Sequence, residues 1–119
     1  MDQENLKKLL EKANEYLKNP DNIIDPYDMT FVWVSEEITE KVGRNLVGER
    51  VVSTSEDPQG IDDFRVMAAG AATVDYKVKE KEILIKTGPN EKRKALVNYV
   101  FIEFDNQPYL VTKRIKFED

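Results

Sequence analysis

From Thr73 to Phe117 the side-chain pattern has a period of two, with turns at GPNE (88–91) and DNQP (105–108). No other feature of the chain limits the fold so tightly. The pattern predicts three strands, about 73–87, 93–104 and 109–117, joined by tight turns into an antiparallel meander. Side chains alternate faces, so a slip of one residue would turn the apolar set outward. With Asp105–Pro108 as a loop, Phe104 sits opposite Tyr109, Ile102 opposite Val111, Val100 opposite Lys113, Asn98 opposite Ile115 and Leu96 opposite Phe117. With Gly88–Glu91 as the first loop, Ile83 opposes Leu96, and Val74, Tyr76 and Val78 then have the wrong parity. A β-bulge within Lys79–Glu82 restores it, pairing Val78 with Val100, Tyr76 with Ile102 and Val74 with Phe104. The alternative is that the first strand ends at KEKE and two strands exist there. The opposite face of the middle strand carries Ala95, Val97, Tyr99 and Phe101, too apolar to be left in water.

A cover for that face is available at the start of the chain. Leu6, Leu9, Leu10, Ala13, Tyr16 and Leu17 recur at three- and four-residue steps, so residues 2–18 read as an amphipathic helix ended by Asn19-Pro20. So short a helix needs a partner surface, either its own domain or a second copy. After it, DNIIDPYDMTFVWV gives a short apolar piece, a turn at Asp25-Pro26 and Asp28, and a strand over Thr30–Val34. Ser35 suits a helix N-cap with Glu36 and Glu37 in the first turn, and Gly43 suits its exit. RNLVG reads as one further helical turn ended by Gly48, and Asp57-Pro58 opens a helix carrying Ile61, Phe64, Met67 and Ala68. At 119 residues the chain fits one domain with a helical segment at 1–19 and the rest at 20–119.

Composition then excludes chemistry. The chain contains neither histidine nor cysteine, which removes the usual general base, the commonest metal ligand, thiolate nucleophiles and disulfides. A net charge of −5 with interspersed signs offers no basic field for nucleic acid. No run reaches the ~18 apolar residues of a membrane span, so the expected location is cytoplasmic. The adjacent carboxylates Glu36/Glu37 and Asp62/Asp63 point about 100° apart on a helix and suit helix ends better than paired catalysis.

The order strand, turn, strand, short helices, three-strand meander is the order of a PAS domain, and DPYDMTFVWVSEEITEKVGRNLVGE resembles that family's opening. The marks are Asp25 and Asp28 in the turn, Gly43 at the helix end, and Leu46 with Gly48 in NLVG. The resemblance covers about residues 20–119, with the first helix as a common N-terminal extension. It departs from the family at Ser35, where asparagine is frequent, and at Phe117-Glu118-Asp119, where an Asp-Ile-Thr-like exit is frequent. It implies an α+β fold with an antiparallel sheet of about five strands, short helices on one face and a sensory or interaction role without catalysis. The missing histidine and cysteine argue against haem and cysteinyl-flavin. A noncovalent flavin or small organic ligand stays open, and metal is not implied.

By that resemblance a ligand would lie between the sheet and the short helices. The register points Tyr76, Asn98, Val100, Ile102, Val111, Lys113 and Ile115 there, facing Ile38, Val42, Phe64 and Met67. Asn98 and Lys113 lie diagonally on an otherwise apolar face and form an expected polar floor for an anionic or carbonyl ligand. Alternatively the lysine reaches the sheet edge or pairs with Glu36 or Asp63. Trp33 suits either core packing or stacking on a planar ligand. The expected partner surface of a homodimer is Leu6, Leu9, Leu10, Ala13 and Leu17 with Val97, Tyr99 and Phe101. A dimerisation module with a filled core is the second reading, and a small enzyme of the NTF2-like cone fold the third. In that cone fold long helices precede any strand, whereas here a strand pair precedes the short helices.

Overall fold

The computed structural model describes residues 2–51, 74–88 and 91–118. The expected helix over Asp57–Ala69, with Phe64 and Met67, lies outside the described residues, as does Asp63.

Helix α1 spans Gln3–Tyr16. Asp2 caps it, its carboxylate accepting the Asn5 N–H at 2.8 Å, and Glu4 complements the positive end. The chain leaves through Leu17, which is extended, and Asn19 in the left-handed region at φ 52°, its N–H held by the Asn14 side chain at 2.8 Å. Strands β1 (Asn22–Asp25) and β2 (Thr30–Val34) form a hairpin. Its turn is built by carboxylates: Asp25 accepts the Tyr27 N–H, and Asp28 accepts both the N–H and the hydroxyl of Thr30. Helix α2 (Glu36–Val42) starts at Ser35, whose hydroxyl accepts the Ile38 N–H, and ends at Gly43 in the left-handed conformation, φ 83°.

RNLVG does not form the expected helical turn. Leu46–Glu49 is a β-turn closed by the Glu49 N–H on the Leu46 carbonyl at 2.9 Å, with Gly48 at φ 88°. The Asn45 side chain takes the Val47 N–H, the local competition with helix typical of asparagine. From there the chain runs antiparallel along β2, with Gly48 and Phe31, Phe31 and Glu49, and Val51 and Met29 joined by backbone hydrogen bonds.

Strands β3 (Lys79–Gly88), β4 (Glu91–Phe104) and β5 (Gln107–Glu118) complete one antiparallel sheet in the order β2-β1-β5-β4-β3. The β4–β5 turn contains Asp105 and Asn106 alone, at φ 51° and 62°, the type I′ geometry whose twist matches the strands. The expected longer loop is therefore wrong, and the register moves by two residues. Val100 opposes Val111, Ile102 opposes Tyr109, and Asn98 opposes Lys113 directly rather than diagonally. Because the move is even, the residues expected to share a face between Asn98 and Phe104 still do. A bulge at Leu96/Val97 leaves Ile115 without a Cα partner and sets Leu96 opposite Lys116 and Ala95 opposite Phe117. On the other side, Ile83 opposes Ala95 instead of Leu96, and the irregularity falls at Lys86/Gly88 rather than within Lys79–Glu82. Residues 74–78 are not a strand and β3 begins at Lys79, so KEKE opens a strand rather than ending one.

The sheet is buried on both sides. On the outer face Leu9, Ala13 and Leu17 of α1 pack with Ile23, Val100, Ile102, Tyr109 and Val111. On the inner face Tyr99, Phe101 and Leu110 pack with Ile24, Met29, Phe31, Val34 and Leu46, and Ile38 and Val51 lie against them. The sidedness expected from sequence is thus inverted. The helix covers the Val100/Ile102/Val111 face, and the α2 side receives Tyr99 and Phe101.

Candidate functional site

The inner face is where the strands present large side chains toward α2 and the Leu46 turn. Tyr99 and Phe101, two residues apart on β4, meet edge to face with centroids 6.0 Å apart and planes at 82°. Opposite them stand Ile38 from the first turns of α2 and Leu46, which is 2% exposed. The position of α2 is set at its root, where the Ser35 N–H donates to the Asp21 carbonyl at 2.8 Å and Asp21 N–H donates to the Thr112 carbonyl at 2.8 Å. Helix α2 therefore starts where edge strand β2 ends, tied through Asp21 to the central strand β5. Around the apolar cluster this face also carries polar groups: Thr112 stands opposite Tyr99 on β5, its hydroxyl donating to the Asn22 side chain at 2.6 Å, and Lys79 stands opposite Tyr99 on β3.

A concavity lies on the outer side. A groove of about 410 Å³ runs between the C-terminal half of α1, the 19–21 turn and the start of α2, with Leu10, Asn14, Pro20, Trp33, Glu37 and Lys113 in its walls. Trp33 is half-buried and packs on the outer cluster, as core packing predicts, while its ring also borders this groove. The Lys113 ammonium, from central strand β5, donates to the Asn19 carbonyl at 2.7 Å. Beside it, Arg114 N–H donates to the Asp21 carboxylate at 2.7 Å. The Glu37 carboxyl is held below the usual carboxylate range by its hydrogen bond and charge pairing with Lys41, with Arg114 and Lys113 adding smaller contributions. Among the described residues no three carboxylates form a metal-binding group.

The residues expected to share one ligand-facing surface are divided by the structure. Val100, Ile102 and Val111 are buried under α1, and Asn98 and Lys113 stay together on that same outer face. Tyr76 sits at the sheet margin against Tyr16, their ring centroids 5.1 Å apart. Ile38 does line the inner face, whereas Val42 is 44% exposed and turns away. Of the residues expected at a dimer surface, Leu9, Ala13 and Leu17 are consumed by the chain's own sheet, and Leu6 and Leu10 are half-buried. Tyr99 and Phe101 belong to the inner core, and Val97 is buried. Inner-wall residues that sequence reasoning did not place in the site are Phe31, Leu46 and Tyr99. NLVG already marked Leu46, and shared parity already grouped Tyr99 with Phe101.

No protein-family model and no curated protein matches the chain. Solved structures do. The PAS domain of an HTR-like protein from Haloarcula marismortui superposes with a TM-score of 0.60 at 15% identity, covering 96% of this chain and 100% of that one. A PAS domain from Desulfitobacterium hafniense gives 0.56 at 12% identity over 85% of this chain and 99% of that one. A PAS domain of a two-component sensor histidine kinase gives 0.57 at 10% identity, covering 91% and 98%. The chain has the PAS fold, as the resemblance of its opening implied. No described helix is long and apolar enough to cross a membrane.

Proposed function

We propose that the chain is a PAS-type sensory or interaction module that acts by binding rather than by catalysis. The inner face takes a small apolar or aromatic ligand, and the response leaves through α1 on the opposite face. The observation that carries this reading is the division of the sheet. One side presents the Tyr99/Phe101 pair to α2 and Leu46, and the other is sealed by the chain's own N-terminal helix. The similar structures include a PAS domain of a sensor histidine kinase, which supports a signalling role. A homodimer would be built on what α1 leaves uncovered, the half-buried Leu6, Leu10 and Trp33, rather than on Leu9 and Ala13.

The absorbance spectrum and native mass of the purified protein report flavin, a retained ligand and dimer mass together. A chemically diverse ligand set is then titrated by thermal shift against the native protein, Tyr99→Ala and Trp33→Ala. The reading expects a saturable shift that Tyr99→Ala abolishes and Trp33→Ala preserves. A shift abolished by Trp33→Ala and kept in Tyr99→Ala would move the site to the outer groove. A monomer with no retained or titratable ligand would refute the sensory reading.

A further inference from the structure

The segment Val74–Val78 has the sequence pattern of a strand and the conformation of a latch. Its side chains alternate as Val-Asp-Tyr-Lys-Val, and it leads directly into β3. Continuing the β3–β4 register of Lys79↔Tyr99 would pair Lys77 with Phe101, Tyr76 with Ile102 and Asp75 with Glu103. The structure replaces that ladder with three other contacts. The N–H of Lys77, which the ladder would give to the Phe101 carbonyl, goes instead to the Asp75 side chain at 3.1 Å. The Phe101 carbonyl accepts the N–H of Tyr76 at 3.3 Å, one residue out of step. The Glu103 carbonyl, next along the same edge, accepts the Lys12 ammonium from α1.

Tyr76 bears the cost. It stands at φ 57°, a left-handed conformation unfavourable for a bulky aromatic residue. It is held by its backbone bond, by its ring against Tyr16 and by the Lys12 ammonium 5.5 Å from the ring centroid. Every one of those side-chain holds comes from α1.

We propose that Val74–Val78 is a two-position strap, exchanging between this latched form and a strand zipped onto the free run of β4, and that zipping releases α1. In the zipped form Tyr76 relaxes to extended backbone and its side chain lies opposite Ile102, on the face that α1 occupies. The Asp75 N–H takes the Glu103 carbonyl and displaces Lys12. The two positions are mutually exclusive because the same carbonyls serve both. Phe101 ties the strap to the inner face, since its ring packs with Tyr99 there while its carbonyl is the acceptor that changes partner. The proposal stands whether or not that face takes a ligand.

Residue-resolved amide exchange on the whole chain tests it. Tyr76→Val disfavours the left-handed conformation, Asp75→Ala frees the Lys77 N–H, and Lys12→Met uncovers the Glu103 carbonyl. In each, protection at residues 75–77 rises about fivefold or more and protection at Lys12–Tyr16 falls by a similar factor, the population change expected when the latched form is disfavoured relative to the zipped one. Tyr76→Gly, which removes that penalty from the latched form, moves both regions the other way. Should Tyr76→Val fail to fold, Asp75→Ala and Lys12→Met carry the same readout. The proposal is overturned if the two regions change in the same direction, or if neither changes.

Discussion

Truncating Leu9 to alanine measures how firmly α1 belongs to the domain. The side chain is 0% exposed and sits among Ile23, Val100, Ile102 and Val111 on the outer face, with Ala13 and Leu17 completing the helix stripe. Removing a buried leucine loses its transfer free energy and leaves a cavity, together about 3 kcal/mol. At ~2.1 cal/mol/K per residue, a domain of this size has an unfolding entropy near ~0.25 kcal/mol/K, so that loss lowers Tm by about 12 °C. Leu6→Ala serves as the control, because Leu6 is only half-buried and its loss should stay under about 1 kcal/mol. Urea unfolding followed by circular dichroism gives both values, with an unchanged m confirming that the same surface is exposed. If Leu9→Ala cost under about 0.5 kcal/mol, as a change on an undocked helix would, the placement of α1 over Val100 and Val111 would be wrong.

Burial, reinforced by the carboxylates of Asp25 and Asp105, holds the Tyr109 phenol above its usual value, so the folded state favours the protonated form. Its stabilisation is complete below the ordinary tyrosine value of about 10 and is lost as pH rises through the raised one. Urea midpoints in that alkaline window should therefore fall more steeply for the native chain than for Tyr109→Phe, and parallel curves would refute this. At Asn106, φ 62°, glycine should be neutral or stabilising by a few tenths of a kcal/mol and valine should cost about 1–2 kcal/mol, read from unfolding curves. Gly43→Ala should cost about 1 kcal/mol from backbone conformation alone, because a Cβ there meets nothing within 4 Å. Ser35→Ala should cost about 1 kcal/mol through the lost cap.

Features encoded by neighbours in the chain are legible in the sequence alone. The stripe of α1, strand β2 over Thr30–Val34, the Ser35 cap and the Gly43 exit each depend on a few adjacent residues, and all four are present in the fold. Parity is legible in the half of β4 and β5 next to the turn, since replacing the longer loop by Asp105-Asn106 moves the register by an even number, but not beyond the bulge at Leu96/Val97. Sidedness is not. Alternation identifies an inner face only when the other face is polar, and here Tyr99 and Phe101 on one side are as apolar as Val100 and Ile102 on the other. With both faces covered, only the position of α1 distinguishes them, and that is a tertiary fact. Val100, Ile102 and Val111 of the expected ligand surface therefore fall under the helix, and the face toward α2 carries Tyr99, Phe31 and Leu46 instead. The strap at 74–78 escapes for the opposite reason: its alternation is that of a strand, but its hydrogen bonds are made to Asp75, Phe101 and α1.

Methyl NOE spectroscopy tests the division of the sheet most directly. With α1 on the outer face, the Ala13 methyl shows contacts to the methyls of Val100, Ile102 and Val111 and none to Leu110 or the Phe101 ring. Contacts from Ala13 to Leu110 or Phe101 would place the helix on the other side and leave the proposed binding face without its wall.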